Sequence, residues 1–212
     1  TRQYTEYPPH DTPGIQACPG TEHSPKLLPD GSGGLTMSPV APPSPFVATH
    51  LDLIRRGGHV LDLACGNGRN TRLLLEHGFR VTAVDINMEG IRDLEGHSQL
   101  TSLALDMETP GDPWPISRHV TTPLDGIVVT NYLHRPQFPY IATSLKPSGG
   151  LLIYETFMAG NEQYGKPSNP RFLLQQDELT EAFADLSILA FEQGYREAPS
   201  PAIVQSLCAR AS

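Results

Sequence analysis

Residues 60–70 read VLDLACGNGRN, and this stretch decides the fold. A short apolar run ends in an acid, Asp62, and small residues follow it at alternate positions: Ala64, Gly66 and Gly68. Small residues let a backbone turn sharply and approach a ligand closely. The pattern predicts a strand, a tight turn and a helix, the unit that holds an adenosine-bearing cofactor beyond the carboxyl end of a strand.

The spacing of the small residues distinguishes between ligands. A dinucleotide site needs the pattern G-x-G-x-x-G, because the pyrophosphate packs on the helix N-terminus. Here Thr71 stands where the third glycine belongs, and Asp62 places a carboxylate where a pyrophosphate would be repelled. S-adenosylmethionine carries a sulfonium and an ammonium group and no phosphate, so it fits this turn better. A nicotinamide-dependent oxidoreductase is the weaker alternative.

Acids also end the next two predicted strands. Asp85 ends the second strand, where its carboxylate can accept hydrogen bonds from ribose hydroxyl groups. Asp106 ends the third strand, in LTSLALD, and is placed to meet the adenine amino group. Ile86 and Met107 would flank the adenine ring. Since acids at three successive strand ends rarely arise by accident, we expect them to define the cofactor site.

Strand and helix patterns alternate along the chain. Strands are predicted over residues 59–63, 80–84, 100–105, 124–130, 150–154, 186–191 and 202–208, and helices over 46–56, 68–77, 88–94, 139–145 and 177–184. This alternation predicts an α/β, Rossmann-like doubly wound single domain with a mostly parallel seven-stranded sheet. No helix separates the last two strands, which predicts an antiparallel last strand.

The composition excludes several classes of protein. The net charge of −8 argues against nucleic-acid or anionic membrane partners, and no apolar run approaches the ~18 residues of a membrane helix. The three cysteines are scattered, which predicts a reducing, cytoplasmic compartment and no metal site. Because the sequence begins at Thr1 rather than Met, a removed targeting segment stays open.

Residues 1–45 differ in composition from residues 46–212. They hold ten of the 21 prolines and a GSGG run, with few large apolar side chains. Such a segment buries too little surface to offset its ordering entropy, which predicts a flexible tail. The alternative is that Leu27, Leu28 and Phe46 drape it over the domain, near the cofactor site.

The motifs resemble, in order, those of the class I S-adenosylmethionine-dependent methyltransferases: DLACGNGRN, AVDIN, LALDME, DGIVVTNYLH and PSGGLLIYE. CGNGRN, GFRVTAVDIN and the later RFLLQQDELTEAFADLSILAFEQG are similar to the tellurite-resistance, or TehB-like, branch. The resemblance implies a methyltransferase domain over residues 46–212, with a cofactor or substrate contact at Asn131. Ala64 departs from the family pattern, which usually has glycine there.

The methyl acceptor is expected over the fourth strand, against the loops after the fourth and fifth strands. In the first loop, NYLHRP, His134 is the candidate base, Arg135 the candidate to hold an anionic acceptor, and Tyr132 a further substrate contact. The alternatives are a loop histidine bonded to backbone at His134 and a surface charge at Arg135.

The loop over residues 156–176 is long for a compact domain, and such loops are often lids or binding loops. It contains Tyr164 and Arg171, which are candidate substrate contacts. Glu155, at the end of the fifth strand, is a candidate to orient an amine or to act as a base. The alternative is a structured insertion with only packing duties.

The sequence thus predicts methyl transfer to a small-molecule acceptor, namely a thiol, an amine or a metalloid oxyanion. Nucleic-acid amino methyltransferases of this fold often carry N/D-P-P-Y/F after the fourth strand, where this chain reads NYLH. A non-catalytic S-adenosylmethionine-binding protein is the main alternative, ahead of a protein or nucleic-acid methyltransferase. The acceptor and the oligomeric state stay open.

Overall fold

The computed structural model describes residues 28–29, 35–36 and 40–212, and the structural statements that follow concern these residues. Leu28–Pro29 pairs in antiparallel fashion with Leu35–Thr36. Most of the tail predicted over residues 1–45 lies outside the described residues, as do the side chains of Leu27 and Leu28. The boundary between tail and domain therefore stays a prediction.

Seven strands form the main sheet. In chain order they are β1 (His59–Leu63), β2 (Arg80–Asp85), β3 (Leu100–Ala104), β4 (Gly126–Thr130), β5 (Leu151–Phe157), β6 (Ser187–Arg196) and β7 (Ala202–Arg210). Their order across the sheet is β3-β2-β1-β4-β5-β7-β6. The first five strands pair in parallel, and β7 is antiparallel to both β5 and β6. The predicted mostly parallel sheet with an antiparallel last strand is confirmed.

The α-helices are short: α1 (Pro45–His50), α2 (Arg69–Glu76), α3 (Phe138–Ser144) and α4 (Glu178–Ala182). The helix predicted over residues 46–56 continues after α1 only as a 3-10 turn, Leu51–Leu53. The prediction of a regular helix over residues 88–94 is wrong, since Glu89–Leu94 is a 3-10 segment in which Ile91 has φ −124. Ile91 is buried against the turn that follows β1, so tertiary packing overrides the helical periodicity there.

Apolar side chains cover both faces of the sheet. On one face, Leu63 and Tyr154 pack with Phe138 and Phe183. On the other face, Val128 and Ile153 join a cluster that includes residues from α1 and α2. Every residue of β4 is buried, as expected for a central strand that is covered on both sides.

The carboxyl ends of the parallel strands meet along one edge of the sheet. From β1 the chain builds outward to β2 and β3, and it then returns to place β4 on the other side of β1. In open α/β sheets, ligands bind in the crevice at this switch in strand order. The register aligns Asp62 of β1 with Val128 of β4, and Thr130 of β4 with Glu155 of β5. The strand order and register therefore bring the residues that we expect at the site to this edge of the sheet.

Candidate active site

The turn after β1 places all three of its small residues in the left-handed backbone region. Ala64 has φ 56, Gly66 φ 56 and Gly68 φ 73. A Cβ on Gly68 would lie 2.1 Å from Cγ2 of Ile91, so this position accepts only glycine. Alanine can adopt the left-handed region at a cost of about 1–2 kcal/mol. The turn has the conformation that the glycine pattern predicts, with strain at Ala64.

Asp62 is buried beside this turn with one oxygen satisfied and one not. The Thr71 hydroxyl donates to Oδ2 at 2.6 Å, whereas Oδ1 has no hydrogen-bond partner. Burial raises the pKa of Asp62 to about 7, the negative charge of Asp85 adds to this, and the Thr71 hydrogen bond opposes it. An unsatisfied buried acceptor is costly, so Oδ1 suits a ligand that brings a donor or a positive charge. The ammonium group of S-adenosylmethionine is such a ligand.

Asp85 is held rigidly at the end of β2. Its Oδ2 accepts a hydrogen bond from the Gly66 amide at 2.8 Å, and its Oδ1 accepts one from the Asn87 amide at 3.0 Å. A carboxylate oxygen can accept more than one hydrogen bond, so both can still receive ribose hydroxyl groups. The next residue, Ile86, is 70% exposed although it is apolar. This arrangement fits a ribose beside Asp85 and an adenine ring against Ile86.

The third acid, Asp106, is exposed just after β3. Its Oδ1 accepts a hydrogen bond from the Glu108 amide at 2.8 Å, which fixes the local turn. Met107 is buried, and its carbonyl oxygen accepts a hydrogen bond from the side chain of Gln137. The adenine contacts of Asp106 and Met107 stay predictions, and Gln137 is a connection that the sequence did not suggest.

Hydrogen bonds with residues of β5 and with Gln137 hold the loop that follows β4. Asn131 has φ 58, and its amide donates to the carbonyl oxygen of Glu155 at 2.9 Å. The Tyr154 hydroxyl donates to the carbonyl oxygen of Tyr132 at 2.9 Å, and the Tyr132 hydroxyl donates to Oε1 of Gln137 at 3.4 Å. Burial, aided by Glu108, raises the pKa of Tyr132 above its usual range. Tyr132 is therefore neutral at physiological pH.

His134 faces an acid that sequence reasoning missed. Its Nδ1 lies 3.6 Å from Oε2 of Glu108, and both side chains are partly exposed. A carboxylate beside an imidazole can orient the ring, and histidine is the most common general base in enzymes. Nothing in the sequence connects Glu108 with His134, since they follow different strands and meet only when the sheet forms.

The guanidinium group of Arg135 donates its hydrogen bonds to other groups of the protein. Its guanidinium forms a two-pronged ion pair with Glu178 at 2.5 and 2.9 Å. It also donates to the carbonyl oxygens of Arg171 and Leu173 at 2.8 and 2.9 Å. Arg135, which lies in the loop after β4, thus joins the long loop after β5 to α4. A direct acceptor contact by Arg135 stays a prediction, and its observed partners give it a positioning role.

The other two predicted substrate residues lie on the surface of the long loop. The Tyr164 ring lies 5.5 Å from the ring of Tyr195, and both are exposed. Arg171 is exposed, and its backbone amide bonds to Oδ1 of Asn169. The structure therefore does not bring Tyr164 or Arg171 into contact with Asp62 or Asp85, and their substrate contacts stay predictions.

Glu155 lies at the centre of a buried polar cluster and is only 2% exposed. Its Oε1 accepts from the Ser44 hydroxyl at 3.0 Å and from Nη1 of Arg196 at 2.7 Å, and its Oε2 accepts from the Ser206 hydroxyl at 3.0 Å. Because both of its oxygens accept hydrogen bonds, the carboxylate can hold the side chains of Ser44, Arg196 and Ser206 in place. Its predicted role as a base is untested by these contacts.

The Glu155 cluster extends to the motif turn through Ser44 and Asn70. The Ser44 amide donates to Oδ1 of Asn70 at 3.0 Å, and Nδ2 of Asn70 donates to the Thr130 hydroxyl at 2.9 Å. Sequence reasoning missed both residues. A Ser-Pro pair at a helix start, which reads here as Ser44 followed by Pro45, is a known N-terminal pattern and could have marked Ser44.

Over the described residues, no group of three or more His, Cys, Asp or Glu side chains is placed to hold a metal ion. Within the same ranges, no helix has the length and apolar character needed to span a membrane.

Comparison with known proteins places the chain in a family. The family model described as "Tellurite resistance protein TehB" matches residues 47–197. The chain belongs to this family. The membership confirms the predicted resemblance to the TehB-like branch. A search of curated proteins found no match.

Three solved structures of similar fold illustrate the likeness. TehB from Haemophilus influenzae superposes with a TM-score of 0.62 at 20% identity over 79% of this chain and 61% of that one. The N-methyltransferase NodS from Bradyrhizobium japonicum WM9 gives 0.55 at 19% identity over 79% and 97% of the two chains. The Burkholderia thailandensis 1,6-didemethyltoxoflavin-N1-methyltransferase gives 0.54 at 20% identity over 84% and 93%. The chain thus spans about three fifths of the Haemophilus protein.

Proposed function

We propose that this chain transfers a methyl group from S-adenosylmethionine to a small-molecule acceptor at the carboxyl edge of β1, β2, β4 and β5. The observation that carries the proposal is the buried Asp62, whose free Oδ1 lies beside a glycine turn that is itself fixed by Asp85. The proposed cofactor contacts are Asp62, Ala64, Gly66, Gly68, Asp85, Ile86, Asp106, Met107 and Asn131.

Methyl transfer is an in-line displacement, in which the acceptor atom bonds to the methyl carbon as the carbon–sulfur bond breaks. When bound, S-adenosylmethionine supplies the electrophilic methyl group. The protein mainly holds donor and acceptor in line, an effect that can contribute up to roughly 7–11 kcal/mol. Asp62 and Asp85 would fix the donor from two sides of the turn, and the loop after β4 would face the acceptor.

His134 is the proposed general base for acceptors that carry a proton. Its imidazole, 3.6 Å from Glu108, can take a proton from an amine or thiol as the new bond forms. Glu155 keeps its predicted role as a proposal, and its bonds to Ser44, Arg196 and Ser206 favour orientation over proton transfer. H134Q is expected to lower kcat for an amine acceptor roughly 10²–10⁴-fold and to leave S-adenosylhomocysteine affinity unchanged. An unchanged kcat would remove His134 from the mechanism.

Two further observations support the partner and the location that we propose. The Burkholderia methyltransferase of similar fold holds bound 1,6-didemethyltoxoflavin, which supports a small molecule as acceptor here. Cys65 and Cys208 are free, buried thiols, which supports a reducing, cytoplasmic location.

Transfer of a labelled methyl group tests the proposal. The protein is incubated with methyl-labelled S-adenosylmethionine and, in turn, thiols, amines, and selenite or tellurite. We expect transfer to at least one class. Tight S-adenosylhomocysteine binding without transfer to any class would favour a non-catalytic binding protein. Thermal stabilisation by NAD and not by S-adenosylhomocysteine would contradict the cofactor assignment.

A further inference from the structure

We propose that a second cavity, at the edge of the sheet opposite the candidate active site, binds a compact oxyanion of the phosphate class. This basal cavity lies at the amino ends of β1, β2 and β3 and has a volume of about 200 Å³. Pockets for drug-sized ligands enclose about 300–1,000 Å³, so the basal cavity suits a small ion or group. The site is independent of the proposed methyl transfer. Its lining includes His59, Arg80, Thr82, Ser98, Thr101 and His119.

The register of the sheet places basic and polar side chains of the cavity side by side. His59 of β1 pairs with Arg80 of β2, and Thr82 of β2 pairs with Thr101 of β3. Neighbouring strands lie about 4.8 Å apart, and alternate residues of a strand share a face. The side chains of His59 and Thr82 are in direct contact, with Nε2 lying 2.8 Å from the hydroxyl oxygen. The four residues therefore form one polar patch on one face of the sheet.

The cavity is open because no crossover helix covers this corner of the sheet. Between β3 and β4, a connection that the structure describes in full, the only helical element is the 3-10 turn Pro115–Arg118. Trp114 and Ile116 of this connection pack on the apolar part of the same face. Helices normally cover both faces of a parallel sheet. Thr101 is exposed although it lies within a strand, so the amino end of β3 is left accessible.

The cavity has positive charge without a matching acid. Within the described part of the chain, the guanidinium group of Arg80 forms no hydrogen bond and no ion pair, and no Asp or Glu lines the cavity. The nearby acid Asp125 is already used, since its carboxylate pairs with Arg55 at 2.9 Å and accepts from the His59 amide at 2.9 Å. An anion in the cavity would therefore meet the Arg80 charge without competition from a carboxylate of the lining.

The His59 ring supplies a hydrogen-bond donor rather than a second charge. Burial lowers the pKa of His59, the charge of Arg80 lowers it further, and Asp125 opposes both. The ring is therefore neutral at pH 7 and carries one N–H. When the Thr82 hydroxyl donates to Nε2, that N–H is on Nδ1, which has no hydrogen-bond partner among the described residues.

The arrangement of donors favours a phosphate over a carboxylate. The planar guanidinium of an arginine binds either anion with two parallel hydrogen bonds. The hydroxyl groups of Ser98 and Thr101 and the ring of His119 add donors that come from other parts of the chain. A carboxylate has two oxygens, which the fork of Arg80 would occupy, whereas a phosphate has further oxygens for these additional donors.

Calorimetric titration of the full chain with inorganic phosphate tests the site, at constant low ionic strength and with sodium chloride as the reference. We expect saturable binding of one phosphate by the wild type. R80Q should weaken it roughly tenfold or more, the loss expected for a charged hydrogen bond. The control R92Q removes the same charge from another exposed position and should bind phosphate as the wild type does. Equal phosphate affinity in R80Q and the wild type, or no binding by the wild type, would overturn the site.

A second variant and a spectroscopic readout guard against misfolding and against binding elsewhere. T101V keeps the β-branched shape on an exposed strand position, removes the hydroxyl, and should weaken phosphate binding severalfold. Thermal unfolding shows that the variants are folded. Phosphate should also shift the imidazole NMR signals of His59 and His119 in the wild type. Binding that leaves both signals unmoved would place the ion outside the basal cavity and contradict the proposal.

Further titrations identify the source of the oxyanion. Methyl phosphate that binds as tightly as inorganic phosphate, or more tightly, indicates a phosphomonoester, whereas weaker binding indicates the free ion. Acetate that binds as tightly as both would overturn the phosphate class.

S-adenosylhomocysteine separates this site from the proposed function. The phosphate affinity should be the same with and without S-adenosylhomocysteine, because the two ligands bind at opposite edges of the sheet. Competition between them would place the ion at the candidate active site and overturn the inference. A protein that binds phosphate at His59 and Arg80 but does not bind S-adenosylhomocysteine would contradict the proposed function and support this one.

Discussion

Asp62 shows how a single residue can carry both a cost and a function. The carboxyl group is 1% exposed and has one unsatisfied oxygen, an arrangement that a folded protein tolerates where a ligand completes it. Burial holds its pKa near 7, so ionisation of Asp62 works against folding in the free protein. The same free oxygen is what a cationic cofactor can use.

The pH dependence of stability follows from Asp62. Its pKa is raised in the folded state, so the folded state binds more protons and stability falls as pH rises from about 4 through 7. Between pH 5 and pH 8 the wild type should lose about 2 kcal/mol from this group. D62N should remove that part of the pH dependence, as measured by urea unfolding at both values. An identical pH dependence in D62N would contradict the assigned pKa.

Replacement of Ala64 by glycine is expected to stabilise the folded protein. Its φ of 56 strains an L-residue, and glycine removes that strain while adding unfolded-state entropy. A64G should raise the free energy of unfolding by up to about 1 kcal/mol, measured by urea unfolding. The control A48G, at an exposed position within α1, should instead lower it by about 0.5–1 kcal/mol. Destabilisation by A64G equal to that of the control would refute the strain.

At the level of elements, the loop after β5 is tied down by Arg135 rather than left free. The guanidinium joins Glu178 of α4 to the backbone at Arg171 and Leu173. The sequence indicated that this loop is unusual in length, but no periodicity shows which cation fastens it. Arg135 is one of several anchors, since Oδ1 of Asn161 also accepts a hydrogen bond from the Ile203 amide of β7 at 3.1 Å.

Removal of the Arg135 anchor should loosen the loop selectively. R135M is expected to raise the amide hydrogen-exchange rate of residues 161–173 several-fold and to leave the exchange of β1 and β4 unchanged. R118M, which removes a separate ion pair with Asp112, serves as the control. Equal exchange of the loop in R135M and R118M would show that Arg135 is not the anchor.

At the level of the whole molecule, the sequence predicted the sheet better than the site. The buried parallel strands are near-continuous apolar runs, so β1 over residues 59–63 was found with its observed bounds. Glu155, Arg196 and Ser44 are far apart in the chain and meet only through strand order, which periodicity does not encode. The sequence predicted a regular helix where the irregular segment Glu89–Leu94 lies. The helix is interrupted because Ile91 packs on Gly68, a contact that the helical periodicity does not encode.

The motif turn itself was predictable because its chemistry is local. Small residues at alternate positions and an acid before them specify both a tight backbone and a carboxylate at its edge. The pairing of Asp85 with the Gly66 amide was not predictable from spacing, yet it links the two motifs into one rigid frame. Neither motif specifies the acceptor, because the residues that we propose to face it follow other strands.

The affinity of S-adenosylhomocysteine for D85A tests the cofactor site most directly. Asp85 is fixed by two backbone amides and faces the proposed ribose, so its loss should weaken binding tenfold or more in calorimetry. The control D93A removes an acid that pairs with Arg72 and should bind as the wild type does. Tight binding by the wild type and D93A with a clear loss in D85A is the predicted result. Equal affinity in D85A and the wild type would contradict the assignment of this turn to the cofactor.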